Sequence, residues 1–272
     1  MAGVLEPKTP MDFDRLVLQT PNSSYAWIRY MAYYLQLTQL DKARSVAKRA
    51  LDAINFREEK ERMNVWVALL NLENTFGNQV SLNNAFTEAC RQMDPEQMHF
   101  HLAAIYERTH KHAEAEELFQ AMVKKFNKEP RVWLRYCEFK FKRGRSREAR
   151  QVLERSLKSI NKIDHVATIV KFGIQEFKLG DVERARTVFE NVLSSYPKRV
   201  DLWSQYLDQE HRVGDVAVIR ALYERVTTLN LSTKKMKFFF KRYLDFEKQH
   251  GTDATMQHVK EKATEYVASK KA

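Results

Sequence analysis

Four short stretches of this chain share one pattern: AWIRY from position 26, VWVAL from 65, VWLRY from 132 and LWSQY from 202. A recurrence of this kind constrains a fold more than local propensity does, because a chain that repeats one unit has to stack it. With each Trp as an anchor, HFHLA from 99 supplies Phe100 and TIVKF from 168 supplies Ile169. The segment KKMKFFFKRYLDFEKQHG (234–251) supplies Phe240. The anchors are then Trp27, Trp66, Phe100, Trp133, Ile169, Trp203 and Phe240, spaced by 39, 34, 33, 36, 34 and 37 residues.

Other residues fall into the same register. Gly77, Gly144, Gly180, Gly214 and Gly251 each lie eleven positions after an anchor, where glycine ends a helix by adopting the left-handed conformation. Tyr30, Tyr136, Phe172, Tyr206 and Tyr243 stand three positions after it, and Glu73, Glu107, Glu176, Glu210 and Glu247 seven positions after it. Offsets of zero, three and seven share one helical face. Seventeen positions on come Arg44, Arg150, Arg186 and Arg220, three of them preceded by Ala43, Ala149 and Ala185, which let helices approach closely. The third repeat has a turn one residue shorter, and the second carries Asn83 in the arginine slot. Pro95, Pro130 and Pro197 fall in the joints.

Each unit therefore reads as two antiparallel helices joined by a short turn. The fold class expected is all-α: a superhelical α-solenoid of about seven helix pairs that share a continuous core. Residues 1–22 are expected to be a linker, 23–268 the solenoid and 269–272 a basic tail. Composition agrees, with only seven glycines and six prolines in 272 residues. At 44% hydrophobic and 30% charged the chain reads as globular and soluble; it has no apolar run of membrane-spanning length, and its opening residues lack the pattern of a signal peptide. Two cysteines, Cys90 and Cys137, are too few for a disulfide framework and read as small helical core residues.

The pattern W-x2-Y-x3-E-x3-G-x4-A-R resembles the half-a-TPR (HAT) repeat, and KFGIQEFKLGDVERARTVFENVLSSYP (171–197) is a nearly complete instance. HAT arrays occur in RNA-processing assemblies. A narrower likeness lies in PNSSYAWIRYMAYYLQL (21–37), NVWVALLNLEN (64–74), YPKRVDLW (196–203) and MKFFFKRYLDFEKQHG (236–251). These stretches resemble the C-terminal segment of the ribosomal RNA processing protein five family, also called the programmed cell death protein eleven family. The resemblance implies a non-enzymatic scaffold of a nucleolar small-subunit pre-rRNA-processing ribonucleoprotein, holding protein partners and pre-rRNA. It also implies that the chain is the C-terminal part of a longer protein with N-terminal oligonucleotide-binding modules. Two alternatives stand beside it: the same architecture in mRNA splicing or 3′-end processing, and a TPR-type adaptor for acidic peptides.

Candidate sites follow from charge. The net charge is +11, and Lys124–Lys162 alone holds 14 Lys+Arg against 4 Asp+Glu. A local excess of this kind points to a polyanionic partner. In the fourth repeat Lys140 takes the glutamate slot while Arg150 keeps the arginine slot, so two like charges are expected to face one another. Lys140, Lys142, Arg143, Arg145 and Arg147 are the first candidates for RNA or acidic-partner contact; Lys234, Lys235 and Lys237 are the second. In the other repeats glutamate and arginine are expected to pair within a repeat, as Glu176 with Arg186 and Glu210 with Arg220. Of the three consecutive phenylalanines, Phe239 and Phe240 are expected in the core and Phe238 on a variable, exposed face. His99 and His101 point roughly 200° apart on a helix, and His110 and His112 fall at a turn without zinc-ligand spacing, so no metal or cofactor is expected. No P-loop, G-x-G-x-x-G, H-E-x-x-H or G-x-S-x-G signature is present, and no enzyme activity is expected.

Overall fold

In the computed structural model, which describes residues 7–270, the chain forms fifteen α-helices and a 3-10 turn at Lys162–Asp164, with no strand among the described residues. It divides into two compact units, Met1–Phe126 and Asn127–Ala272. The first contains α1 (Pro10–Gln19), α2 (Ser24–Gln36), α3 (Leu40–Ala53), α4 (Glu59–Phe76), α5 (Gln79–Gln92), α6 (Pro95–Arg108) and α7 (His112–Lys125). The second contains α8 (Pro130–Lys142), α9 (Ser146–Ser159), α10 (His165–Leu179), α11 (Val182–Ser195), α12 (Val200–Val213), α13 (Val216–Thr227), α14 (Thr233–His250) and α15 (Asp253–Ser269). The helix pairs α2–α3 through α14–α15 are the seven repeats, an all-α stack of HAT-type hairpins within each unit. No described helix is long and apolar enough to cross a membrane.

The segment expected to be a linker contains α1. Thr9 caps it: its hydroxyl accepts from the Asp12 amide, and the Asp12 carboxylate accepts from the Thr9 amide at 3.0 Å. Phe13 of α1 stacks on Tyr30 at 5.0 Å, and both Phe13 and Val17 are buried. That stack repeats further along, where Phe189 of α11 lies on Tyr206 of α12 and Tyr223 of α13 on Tyr243 of α14. In each case a tyrosine three positions after an anchor meets a ring on the helix before it, so α1 does for the first repeat what a preceding second helix does elsewhere. At the other end α15 runs to Ser269; residues 1–6 and 271–272, parts of the expected leading and trailing segments, lie outside the described residues.

The Trp anchors are core residues, all four nearly inaccessible, whereas Phe100 and Ile169 are only half-buried. Three of the indoles are fixed by partners at constant offsets. Trp27, Trp133 and Trp203 donate Nε1–H to the carbonyls of Pro21, Asn127 and Pro197, six positions upstream, at 2.8–2.9 Å. Arg49, Arg155 and Arg225, each 22 positions after its anchor, cover those rings at 5.3–5.7 Å. The second repeat has Glu88 at that offset, and Trp66 Nε1 finds no acceptor among the described residues.

All five turn glycines close their first helices, but for two physical reasons. Gly144 and Gly214 take the left-handed conformation at φ +68° and +84°, as do Thr38 and His110 in two glycine-free turns. Gly77, Gly180 and Gly251 do not. A Cβ on them would lie 2.2, 2.6 and 2.0 Å from a carboxylate oxygen of Glu73, Glu176 and Glu247, so glycine there makes room for the buried glutamate.

Those glutamates form the main correction to the sequence reading. Their arginine partners come from the preceding repeat. Arg44 donates to Glu73 at 2.6 Å, Arg150 to Glu176 at 2.6 Å, Arg186 to Glu210 at 2.8 Å and Arg220 to Glu247 at 2.7 Å. Neither Glu176–Arg186 nor Glu210–Arg220 pairs within its own repeat. Each link is a fork-on-fork contact that uses the guanidinium Nε and a terminal nitrogen. The carboxylates are at most 5% exposed and take further donors from their own turn: the Ser81 hydroxyl on Glu73 and the Asp181 amide on Glu176. One buried carboxylate thus closes its own hairpin and ties it to the hairpin before.

Candidate nucleic-acid interface

The basic corner is built where α8 ends and α9 begins. Gly144 supplies the left-handed turn, Arg143 caps α8 and Arg145 precedes Ser146 at the start of α9. Arg143 and Arg147 are exposed and make no ion pair among the described residues. Lys142 is exposed but bonds Glu138 at 2.7 Å, one helical turn back. Arg145 donates through Nε and a terminal nitrogen to Glu148, whose carboxyl is held down to about 2 by the bonds from Arg145 and Lys140. The spacings of three and four residues are those of ordinary helix-surface ion pairs, so both neutralising glutamates were legible in the sequence.

Lys140 does not belong to this surface. It is 3% exposed, its ammonium donates to Glu148 at 2.9 Å, and it lies 5.1 Å from the Tyr136 ring centroid. Arg150 is turned away from it, to Glu176. The like-charge confrontation expected between Lys140 and Arg150 is therefore absent, because the arginine slot serves the following repeat.

The second cluster sits in the first turn of α14. Lys234, Lys235 and Lys237 are exposed and make no ion pair among the described residues. Cations there oppose the positive end of the helix dipole, and the N-cap Ser232 gives no side-chain hydrogen bond to offset them. Phe238 is 45% exposed beneath Arg242, while Phe239 and Phe240 are 0% and 8% exposed, as their register required.

The histidines are held by packing. His99 is buried between Phe86 and Phe126, with Nδ1 2.5 Å from the Pro95 carbonyl oxygen, and burial lowers its pKa. His110 supplies the left-handed turn residue and touches His112 ring to ring at 5.7 Å. Cys137 is buried in α8, its thiol pushed up to about 12 by that burial; Cys90 is half-buried in α5.

Stacked hairpins tied by arginine–glutamate links, with a charged edge, define a helical-repeat protein. Residues 17–272 match the model described as pre-mRNA-splicing factor Syf1/CRNKL1 C-terminal HAT repeat, and the chain belongs to this HAT-repeat family. Among individual proteins it is 51% identical over 265 residues to "Protein RRP5 homolog" of Mus musculus, covering 97% of this chain. It is 48% identical over 262 residues, 96% of this chain, to "rRNA biogenesis protein rrp5" of Schizosaccharomyces pombe. These relatives bear out the resemblance read from the sequence. The chain spans only 14% and 16% of their lengths. "Crooked neck-like protein 1" of Mus musculus is more distant, 28% identical over 93% of this chain and 33% of its own length.

Proposed function

We propose that this chain is a non-enzymatic HAT scaffold of a pre-rRNA-processing ribonucleoprotein in small-subunit ribosome synthesis. It works in the nucleolus, and its surface holds other processing proteins and contacts pre-rRNA through the basic corner. The observation that carries this reading is the 48–51% identity, over nearly the whole chain, to proteins named for rRNA biogenesis or as their homologue. The corner adds the physical means. Arg143 and Arg147 present uncommitted guanidinium groups, and Lys142 and Arg145 are themselves exposed on half-buried partners from which a phosphate can draw them. With few exposed aromatic side chains interleaved, contact is with backbone and not with bases.

A second reading, a scaffold in mRNA splicing, is favoured by the description of the matching family model. It ranks second because the relative named Crooked neck-like protein 1 shares only 28% identity. Tagging the protein in cells and sequencing its crosslinked RNA separates the two. Pre-rRNA reads and copurifying pre-rRNA-processing proteins are expected; enrichment of intron-containing mRNA would overturn the assignment. Reversal of Lys142, Arg143, Arg145 and Arg147 to Glu is expected to leave the fold intact and to reduce the crosslinks steeply.

A further inference from the structure

The corner is the end of a longer feature. Nine positions after the anchors of the fourth, fifth and sixth repeats stand Lys142, Lys178 and Arg212. At 100° per residue, nine residues turn a helix by half a revolution beyond two full turns, so this slot faces directly away from the anchor and the core. All three residues are exposed. They sit in or at the last turn of α8, α10 and α12, and α10 packs against both α8 and α12 within the second unit. Neighbouring helix axes lie about 8–10 Å apart, so the three cations form a row of about 16–20 Å.

Two observations show that the row is not a by-product of the helices. Cations near a helix C-terminus relieve the dipole, but the same slot holds Gln36 in α2 and Thr75 in α4, and both helices are complete with no basic residue in the last turn. Anionic charge is also withdrawn from the α10 and α12 part of this edge, whereas on α8 Glu138 bonds Lys142. The single carboxylate of α10, Glu176, and the nearest one of α12, Glu210, are buried in the arginine links, and Asp208 is bonded to Arg242. Lys178 and Arg212 themselves make no ion pair among the described residues.

We propose that Lys142, Lys178 and Arg212 form a track for the phosphate backbone of single-stranded RNA, leading from the basic corner across the open faces of α8, α10 and α12. This rests on the reading that the corner contacts RNA and extends it to an extended strand laid along the repeat axis. Point charges a helix width apart, without stacking rings between them, suit a polyanion bound independently of sequence.

The test uses the 272-residue chain, a fluorescent 20-nucleotide oligouridylate and two variants. Lys178→Gln with Arg212→Gln removes the track, and Arg143→Gln with Arg147→Gln removes the corner. Unchanged helical circular dichroism and melting confirm that both fold. Two lost contacts are expected to lower the slope of log affinity against log salt by about 1.4 in the track variant, at about 0.7 per single-strand phosphate. Between 50 and 200 mM salt its affinity then falls about sevenfold less than the parent's. If the corner variant loses binding and the track variant matches the parent, the track is overturned and the corner reading stands. Parent-like binding by both variants overturns both. Tighter binding of polyglutamate than of oligouridylate, lost in the track variant, assigns the row to an acidic protein segment and overturns the proposal.

Discussion

The two units are built from the same hairpin and differ in how they use its slots. In the second unit three arginine–glutamate links run in succession, from Arg150 to Glu176, Arg186 to Glu210 and Arg220 to Glu247. Among the described residues the first unit shows the link from Arg44 to Glu73, and the arginine slot of the next repeat holds Asn83. The outward slot at the end of each first helix is neutral in the first unit and cationic in three of four repeats in the second. The outer slot therefore varies independently of the inner ones. A solenoid can change its surface chemistry from one unit to the next without altering the pattern that packs it, because each hairpin meets only its neighbours.

The largest expected effect tests the anchors. Trp203→Ala, which removes a buried ring, its bond to Pro197 and its cover by Arg225, should cost roughly 3–5 kcal/mol. Trp66→Ala in the first unit should cost less, since Trp66 lacks both partners. Thermal unfolding should broaden or split in the Trp203 variant, because the loss uncouples neighbouring repeats instead of lowering one cooperative transition. Equal losses at the two tryptophans would remove the distinction.

Arg186→Met comes next. It strands Glu210, which is wholly buried, at an expected cost of roughly 3–5 kcal/mol in urea unfolding. Arg44→Met should cost less, because Glu73 keeps the Ser81 hydroxyl. A larger loss at Arg44 would reverse the contrast between the Arg44–Glu73 link and the succession.

The two kinds of glycine turn give a smaller contrast. Gly144→Ala has open space and meets only the left-handed penalty, roughly 1–2 kcal/mol. Gly77→Ala and Gly251→Ala should each cost more, because the new methyl displaces the carboxylate of Glu73 or Glu247 from its arginine. Comparable melting shifts in all three variants would show that those carboxylates relocate freely.

Acid should weaken the Arg44–Glu73 and Arg220–Glu247 links. The Arg44 hydrogen bond holds Glu73 below its ordinary pKa; burial pushes Glu247 up, but the bonds from Arg220 and Thr255 outweigh it and bring it down. Both folded values lie beneath an unfolded value of about 4.3. Their stabilisation is therefore complete above that pH and disappears as pH falls through the folded values. Melting temperature should drop below about pH 4.3, and Arg220→Met should flatten that dependence. The smallest expected change is Phe238→Ala, within about 0.5 kcal/mol, against a full core penalty at Phe239.

The repeat period, the hairpin boundaries, the glycine positions and the division of Phe238 from Phe239 and Phe240 were all determined by sequence. Each depends on spacing along a single helix or across a single turn. Helix α1 lies where a linker was expected, although the capping box TPMD marks its start; its packing partner Tyr30 lies in the first repeat. What only the tertiary structure decided was the phase of the pairing. A glutamate and an arginine that recur once per repeat are equally compatible with bonding inside a repeat, ten residues apart, or between repeats, 24 to 29 residues apart. Periodicity is identical in the two cases. The choice is made by how one hairpin rotates against the next, and that rotation is set by the packing of the tyrosine and phenylalanine rings between them. Lys140 is a different case: its partner Glu148 lies in the same repeat, eight residues on across the turn, at a position outside the recurring arginine slot.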